Sequence, residues 1–188
     1  MTLYTFGHGT LTSEAFAALL RGAGIHAIVD VRTIPKSRRN PQFSDDAMRQ
    51  WLPDVGITYS GEPRLGGFRR PRPDSPNVAL RHPNFRGYAD YMLTEDFAAA
   101  RDDLLERAHS EQLAIVCSES VWWRCHRRLI ADSVTLVVEM EVLHLMHDGR
   151  LHPHRVTAGA RRDGERLIYD AGQTPLFPAG GEARTAPS

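Results

Sequence analysis

Short apolar runs alternate along this chain with longer stretches of helical periodicity. "LYTFGH" (3–8) reads as a buried strand, and "LTSEAFAALLRGAG" (11–24) as a helix with Thr12 or Ser13 as N-cap and Gly22 or Gly24 as its stop. "IHAIVDV" (25–31) is apolar almost throughout, the pattern of a strand buried on both faces. "SDDAMRQWLPDVG" (44–56) opens with Ser44 as a cap and two acids in the first turn, where the helix dipole favours them. "ITYSGEP" (57–63) is a third strand. "FRGYADYMLTEDFAAARDDLLERAHS" (85–110) is one long amphipathic helix or a pair, and "QLAIVCSE" (112–119) a fourth strand with an apolar centre. "RCHRRLIADSVTL" (124–136) is a helix, "VVEMEVLHLM" (137–146) a fifth strand, and "RLIYD" (166–170) a short strand expected to pair near "HRVT" (154–157).

Strands alternating with helices predict an α/β fold: a single domain over 1–170, an open and mostly parallel sheet flanked by helices in a three-layer Rossmann-like or flavodoxin-like arrangement. Residues 171–188 read as a loose tail, and no internal repeat is visible. In such sheets ligands bind beyond the carboxyl ends of the strands. Several side chains of chemical use fall at those ends: His8, Asp30 with Arg32, Glu62, Cys117 with Glu119, and His144.

Composition narrows the class. The 188 residues are 41% hydrophobic and 24% charged with a formal net charge of zero, the profile of an ordinary globular protein with no overall pull toward nucleic acid or an anionic membrane. The charge is uneven, however. Between Arg32 and Arg86 eleven Lys and Arg face five Asp and Glu, and the segment 64–83, rich in Gly, Pro and Arg, reads as a functional loop. Two cysteines are too few for a secreted disulfide framework, no signal peptide is visible, and no apolar run approaches the ~20 residues of a membrane helix. A cytoplasmic location is expected.

Both cysteines lie in "CSESVWWRCHRRLI" (117–130). Cys117 is expected where the fourth strand leaves the sheet and Cys125 at the start of the next helix, where dipole and arginines favour a thiolate. Cys117 is the expected functional thiol, with Glu119, Asp30 and His8 as further catalytic candidates. Arg32, Ser37, Arg38, Arg127 and Thr10 are the anion-binding candidates, and Cys125, His126, Gly66 and Gly67 are supporting. Cys117, Cys125 and His126, with His8 as a fourth, form an alternative metal set. The eight-residue cysteine spacing departs from the short pairs of structural zinc sites, so neither metal nor any other cofactor is expected. Packing against the sheet and stacking on a planar ligand both remain open for Trp122 and Trp123.

The motifs together resemble the domain-of-unknown-function family 488, a set of small bacterial and archaeal proteins. The residues that carry the resemblance are "TFGHGT" (5–10), "DVRTIPKSRRNPQF" (30–43), "LGG" (65–67), "FRGYADYM" (85–92), "CSES" with "WRCHRRLIAD" (117–132) and "HRVT" (154–157). Where the family usually has Gly-His-Ser, this chain has Gly7-His8-Gly9; the usual Cys-Ala-Glu is Cys117-Ser118-Glu119, and the frequent Asp-Pro between the cysteines is Val121-Trp122. The resemblance implies a fold and a site and leaves the activity open. From the residues, the expectation is an enzyme acting on a small anionic substrate, phosphorylated or nucleotide-like. A nucleic-acid-binding or repair-associated module using the Arg loops is the rival, and a non-catalytic interaction domain is a third reading.

Overall fold

The structure is a computed structural model that describes residues 1–172. The expected tail lies outside the described residues apart from Ala171 and Gly172. In chain order the elements are β1 (Thr2–Gly7), α1 (Ser13–Gly22), β2 (Ala27–Asp30), α2 (Asp45–Asp54), β3 (Thr58–Gly61), α3 (Pro83–Tyr91), α4 (Glu95–Ser110), β4 (Leu113–Cys117), α5 (Arg127–Leu136), β5 (Glu141–Leu145), β6 (Leu151–Pro153), β7 (Ala160–Asp163) and β8 (Arg166–Tyr169).

Six strands form one sheet in the order β3-β2-β4-β1-β5-β6, with β7 and β8 a separate hairpin. The first five neighbours run parallel and β6 closes the edge antiparallel to β5. Alternation along the strands feeds two cores. Phe6, Ile28, Ala114 and Val116 pack with Phe16 and Leu20 of α1 and Met48 and Leu52 of α2. Leu3, Val29, Leu113, Ile115 and Cys117 pack on the opposite face with Tyr88 of α3, Leu104 of α4 and Leu129 of α5. This is the three-layer α/β domain read from the sequence.

Several boundaries differ for identifiable reasons. The long helical stretch is a pair, split where the Thr94 hydroxyl accepts from Phe97 N and starts α4 with Glu95 and Asp96 in its first turn. Helix α5 begins only at Arg127, because residues 122–124 form a tight 3-10 turn that leaves Cys125 in extended backbone before it. The "RLIYD" strand pairs with residues 160–163 and not with "HRVT". The loop between β3 and α3 is pinned rather than loose: buried Asp90 of α3 accepts from Arg72 N, Ser75 Oγ and Asn77 Nδ2. Gly87 of α3 allows that loop to cross, since a Cβ there would lie 2.6 Å from both Arg70 C and Pro71 N. Among the described residues no helix is long and apolar enough to cross a membrane.

Candidate functional site

Strand β4 sits between β2 and β1, and its last residue, Cys117, is level with Gly7 of β1. His8 N donates to Cys117 O (3.0 Å) and Gly9 N to Ser118 O (3.0 Å), so the two strand exits are tied together. From Cys117 the chain turns through Glu119 and the 122–124 turn, then brings Cys125 and His126 back over the strand end. The Sγ atoms of Cys117 and Cys125 and a ring nitrogen of His126 all lie within 4.8 Å of one another. His126 Nε2 is 3.0 Å from Val31 O. A carbonyl only accepts, so that nitrogen carries a hydrogen, and Nδ1 is the ring atom that faces the sulfurs, 3.7 Å from Cys125 and 4.0 Å from Cys117.

Among the described residues Arg127 is the largest fully buried side chain. Its Nε donates to Cys125 Sγ (3.3 Å) and its Nη2 to Glu119 O. Among the described residues it makes no ion pair with a carboxylate. Gly7 makes room for it: a Cβ there would overlap Glu119 O and come 2.7 Å from Arg127 Nη2. Burial works against a charged Cys125, but the hydrogen bond from Cys117, the Arg127 guanidinium and His126 outweigh it and hold the Cys125 thiol well below its ordinary pKa. Cys117 moves the opposite way, raised by its hydrogen bond to Cys125 and by burial. The two sulfurs thus move apart in acidity, with Cys125 the more readily ionised of the pair.

Asp30 and Arg32 form a bidentate ion pair, with Arg32 Nε 2.9 and 3.0 Å from the two carboxylate oxygens. Tyr59 Oη stands between Asp30 (3.0 Å) and Asp45 (2.8 Å), while Arg32 Nη2 reaches Phe43 O (2.7 Å). The Asp30 charge is thus fully engaged. Arg32 Nη1 points to His8 Nε2 (3.3 Å), and His8 Nδ1 lies 2.9 Å from Gly9 O. Guanidinium only donates, so His8 is neutral with its lone pair on Nε2 occupied; burial brings its pKa down to about 4.

The opening above the cysteines is a cleft of about 540 Å³. Of the expected site residues, Cys117, Glu119, Arg32, Cys125, His126 and Gly67 line it. Gly67 permits the loop to close over the imidazole, as its Cβ would stand 2.6 Å from His126 Nδ1, and a Cβ on Gly66 would overlap Thr33. His8, Thr10, Ser37 and Arg38 face a separate depression of about 450 Å³ across the β1 exit, which shares Ser118 and Glu119 with the cleft. Asp30 opens on a third depression beside Asp45 and Arg49. Arg127 lies beneath, and Glu62 stays at the sheet edge, held to Arg64. His144 is sunk in the fold: it bonds Thr5 Oγ1 (2.7 Å) and His154 (2.9 Å), stacks on Trp122 at 4.1 Å between ring centroids, and has its pKa lowered to about 3, first by burial and then by His154 and Arg127. The candidates thus share one end of the sheet but not one cavity.

Sequence reasoning gave no role to Thr33, Phe68, Phe85 and His82, which also line the cleft. Their signal was present in the Arg-rich loop and "FRGYADYM". Cys117, Cys125 and His126 offer two sulfurs and a nitrogen to a soft divalent ion. Arg127, with no other counter-charge, already balances the Cys125 sulfur, and a second cation there would be repelled.

The family model described as "Domain of unknown function DUF488" matches residues 12–134, from the cap of α1 into the last turn of α5. No curated protein and no solved structure matches the chain.

Proposed function

We propose that this chain, which belongs to the DUF488 family, is an enzyme that attacks a small anionic substrate with a cysteine thiolate in the cleft at the carboxyl end of β4. The observation that carries this reading is Arg127. Burying an arginine without a carboxylate costs several kcal/mol, and here the acceptor beside it is a cysteine sulfur facing a cleft. That expenditure makes sense where a thiolate is needed.

We assign the nucleophile to Cys125, not to Cys117 as the sequence led us to expect. Two polar groups, Arg127 and His126, address Cys125, and the Cys117 sulfur stands within 4.8 Å of it. The sulfur forms the new bond to an electrophilic centre, and the displaced group leaves with its bonding pair and takes a proton from solvent at the open mouth. Glu119, the one carboxylate lining the cleft among the described residues, is placed to activate the water that resolves the adduct. Arg32, with one Nη1 hydrogen not engaged by protein, and exposed Arg124 supply positive charge to an anionic substrate.

The test is alkylation of the native protein with iodoacetamide under reducing conditions, followed by peptide mapping. Cys125 is modified first, at a rate that stays high at neutral pH and falls in Arg127→Met. Preferential labelling of Cys117, or labelling of both only after unfolding, overturns the assignment. Steep salt dependence of oligonucleotide binding would instead favour the nucleic-acid module.

A further inference from the structure

Beside the cysteine cleft lies a second cavity of about 420 Å³, here called the annex, and His82, Phe85 and Trp123 line both. Arg81, Arg128 and Arg155 line this annex, and no Asp or Glu does among the described residues. None of the three arginines makes an ion pair there. Two buried polar atoms on its wall, Thr157 Oγ1 and Arg128 Nε, have no hydrogen-bond partner. Unpaired buried polar atoms are uncommon and destabilise the fold unless a ligand or solvent meets them.

The annex is built rather than accidental. Asp132, fully buried on α5, accepts from His154 Nε2 (2.8 Å), Thr157 N (2.8 Å) and Tyr169 Oη (2.8 Å). It therefore grips both ends of "HRVT" and leaves Arg155 and the Thr157 hydroxyl on the annex wall. Arg128 is oriented by its Nη1 bond to Trp123 O (3.1 Å) and by stacking over Phe85 at 4.6 Å. Trp123, 47% exposed, stands on the shared wall between annex and cleft.

Resting on the reading of the cleft as a catalytic site, we propose that the annex binds the phosphate of the substrate, and that the substrate is a mononucleotide. Arg81, Arg128, Arg155 and the Thr157 hydroxyl hold a phosphate monoester, for which arginine forks and a hydroxyl donor are suited. The planar base stacks on Trp123 and Phe85, which border both cavities. The reacting part of the molecule then lies in the cleft over Cys125.

Calorimetric titration with adenosine monophosphate, adenosine and inorganic phosphate tests this without turnover. Adenosine monophosphate binds more tightly than phosphate, and adenosine binds weakest. Arg155→Ala weakens both phosphate-bearing ligands about tenfold or more, the scale of one lost charge-assisted hydrogen bond. Arg155 is exposed and unpaired, so this variant folds, and Thr157→Val provides a second, near-isosteric probe with a smaller loss. Absence of adenosine monophosphate binding, or affinity unchanged in Arg155→Ala, overturns the inference. So does a single-stranded oligonucleotide that binds more tightly than the mononucleotide with a steep salt slope. An inert Cys125 leaves the titration result untouched, and failed phosphate binding leaves the alkylation result untouched, so the two readings fail separately.

Discussion

Replacing His144 with Gln isolates the acid sensitivity stored beneath the site. In the fold Asp132 accepts from His154 Nε2, so His154 Nδ1 accepts from His144 Nε2, and His144 Nδ1 accepts from Thr5 Oγ1. Gln offers one donor and one acceptor and can keep both contacts, but it does not titrate. His8, with its lone pair on Arg32, is held neutral in the same way. The unfolded imidazoles take a proton at 6.5, whereas the folded ones wait until about 4 for His8 and about 3 for His144. Between those limits the unfolded state binds more protons, so stability is intact above 6.5 and falls as the pH falls. Linkage gives about 2 kcal/mol lost per histidine between pH 7 and pH 5, about 4 kcal/mol for the two. With a urea slope of about 2 kcal/mol per molar, each histidine accounts for about 1 M of the shift in unfolding midpoint between the two pH values. His144→Gln should recover about half of the acid-induced shift and His8→Gln with His144→Gln nearly all of it. If the double variant loses as much between pH 7 and pH 5 as the parent, the tautomer chain and the burial argument are wrong.

Gly87→Ala should destabilise the protein by about 1–3 kcal/mol in denaturant titration, since the overpacking cost against the fixed backbone of residues 70 and 71 exceeds the ~1 kcal/mol gained in helix propensity. Asp132→Asn leaves at least one of three buried donors without its acceptor, so the melting temperature should fall by about 2–10 °C and phosphate affinity in the annex should fall with it. Elemental analysis of purified protein should find less than one equivalent of zinc or iron; one equivalent that disappears in Cys117→Ser with Cys125→Ser would show that Arg127 does not exclude a cation.

The central strands were legible because runs such as "AIVD" and "LAIVC" allow no other burial, and the break before α4 was legible in "LTED" once Thr94 is taken as a cap. The pairing of the last strand was not, although an Asp-Gly turn signal at Asp163 and Gly164 stood between residues 160–163 and "RLIY". The polar "ARRD" carries no apolar alternation, so its strand state depends on its partner. Position at the strand ends was legible for His8, Asp30, Arg32 and Cys117. Which of the two thiols Arg127 addresses was not, because that depends on the direction Arg127 takes inside the fold and on the crowding at Gly7 that fixes it. The annex was hidden for a similar reason: Arg81, Arg128 and Arg155 come from three distant segments and meet only through Asp132 and the crossing loop.

The insertion of β4 between β2 and β1 has a consequence for synthesis on the ribosome. Residues 2–7 and 27–30 emerge early, yet the slot between them is filled only when residues 113–117 arrive, after more than half of the chain has been made. Translation at about 5–20 residues per second leaves both flanking edges without their central partner for several seconds. The strand that fills the slot ends in Cys117, and the turn that follows delivers Cys125 and Arg127. A nascent chain therefore brings Arg127 against Cys125 only once its sheet is closed, and premature termination before residue 113 yields a fragment with an open edge and no cysteine at all.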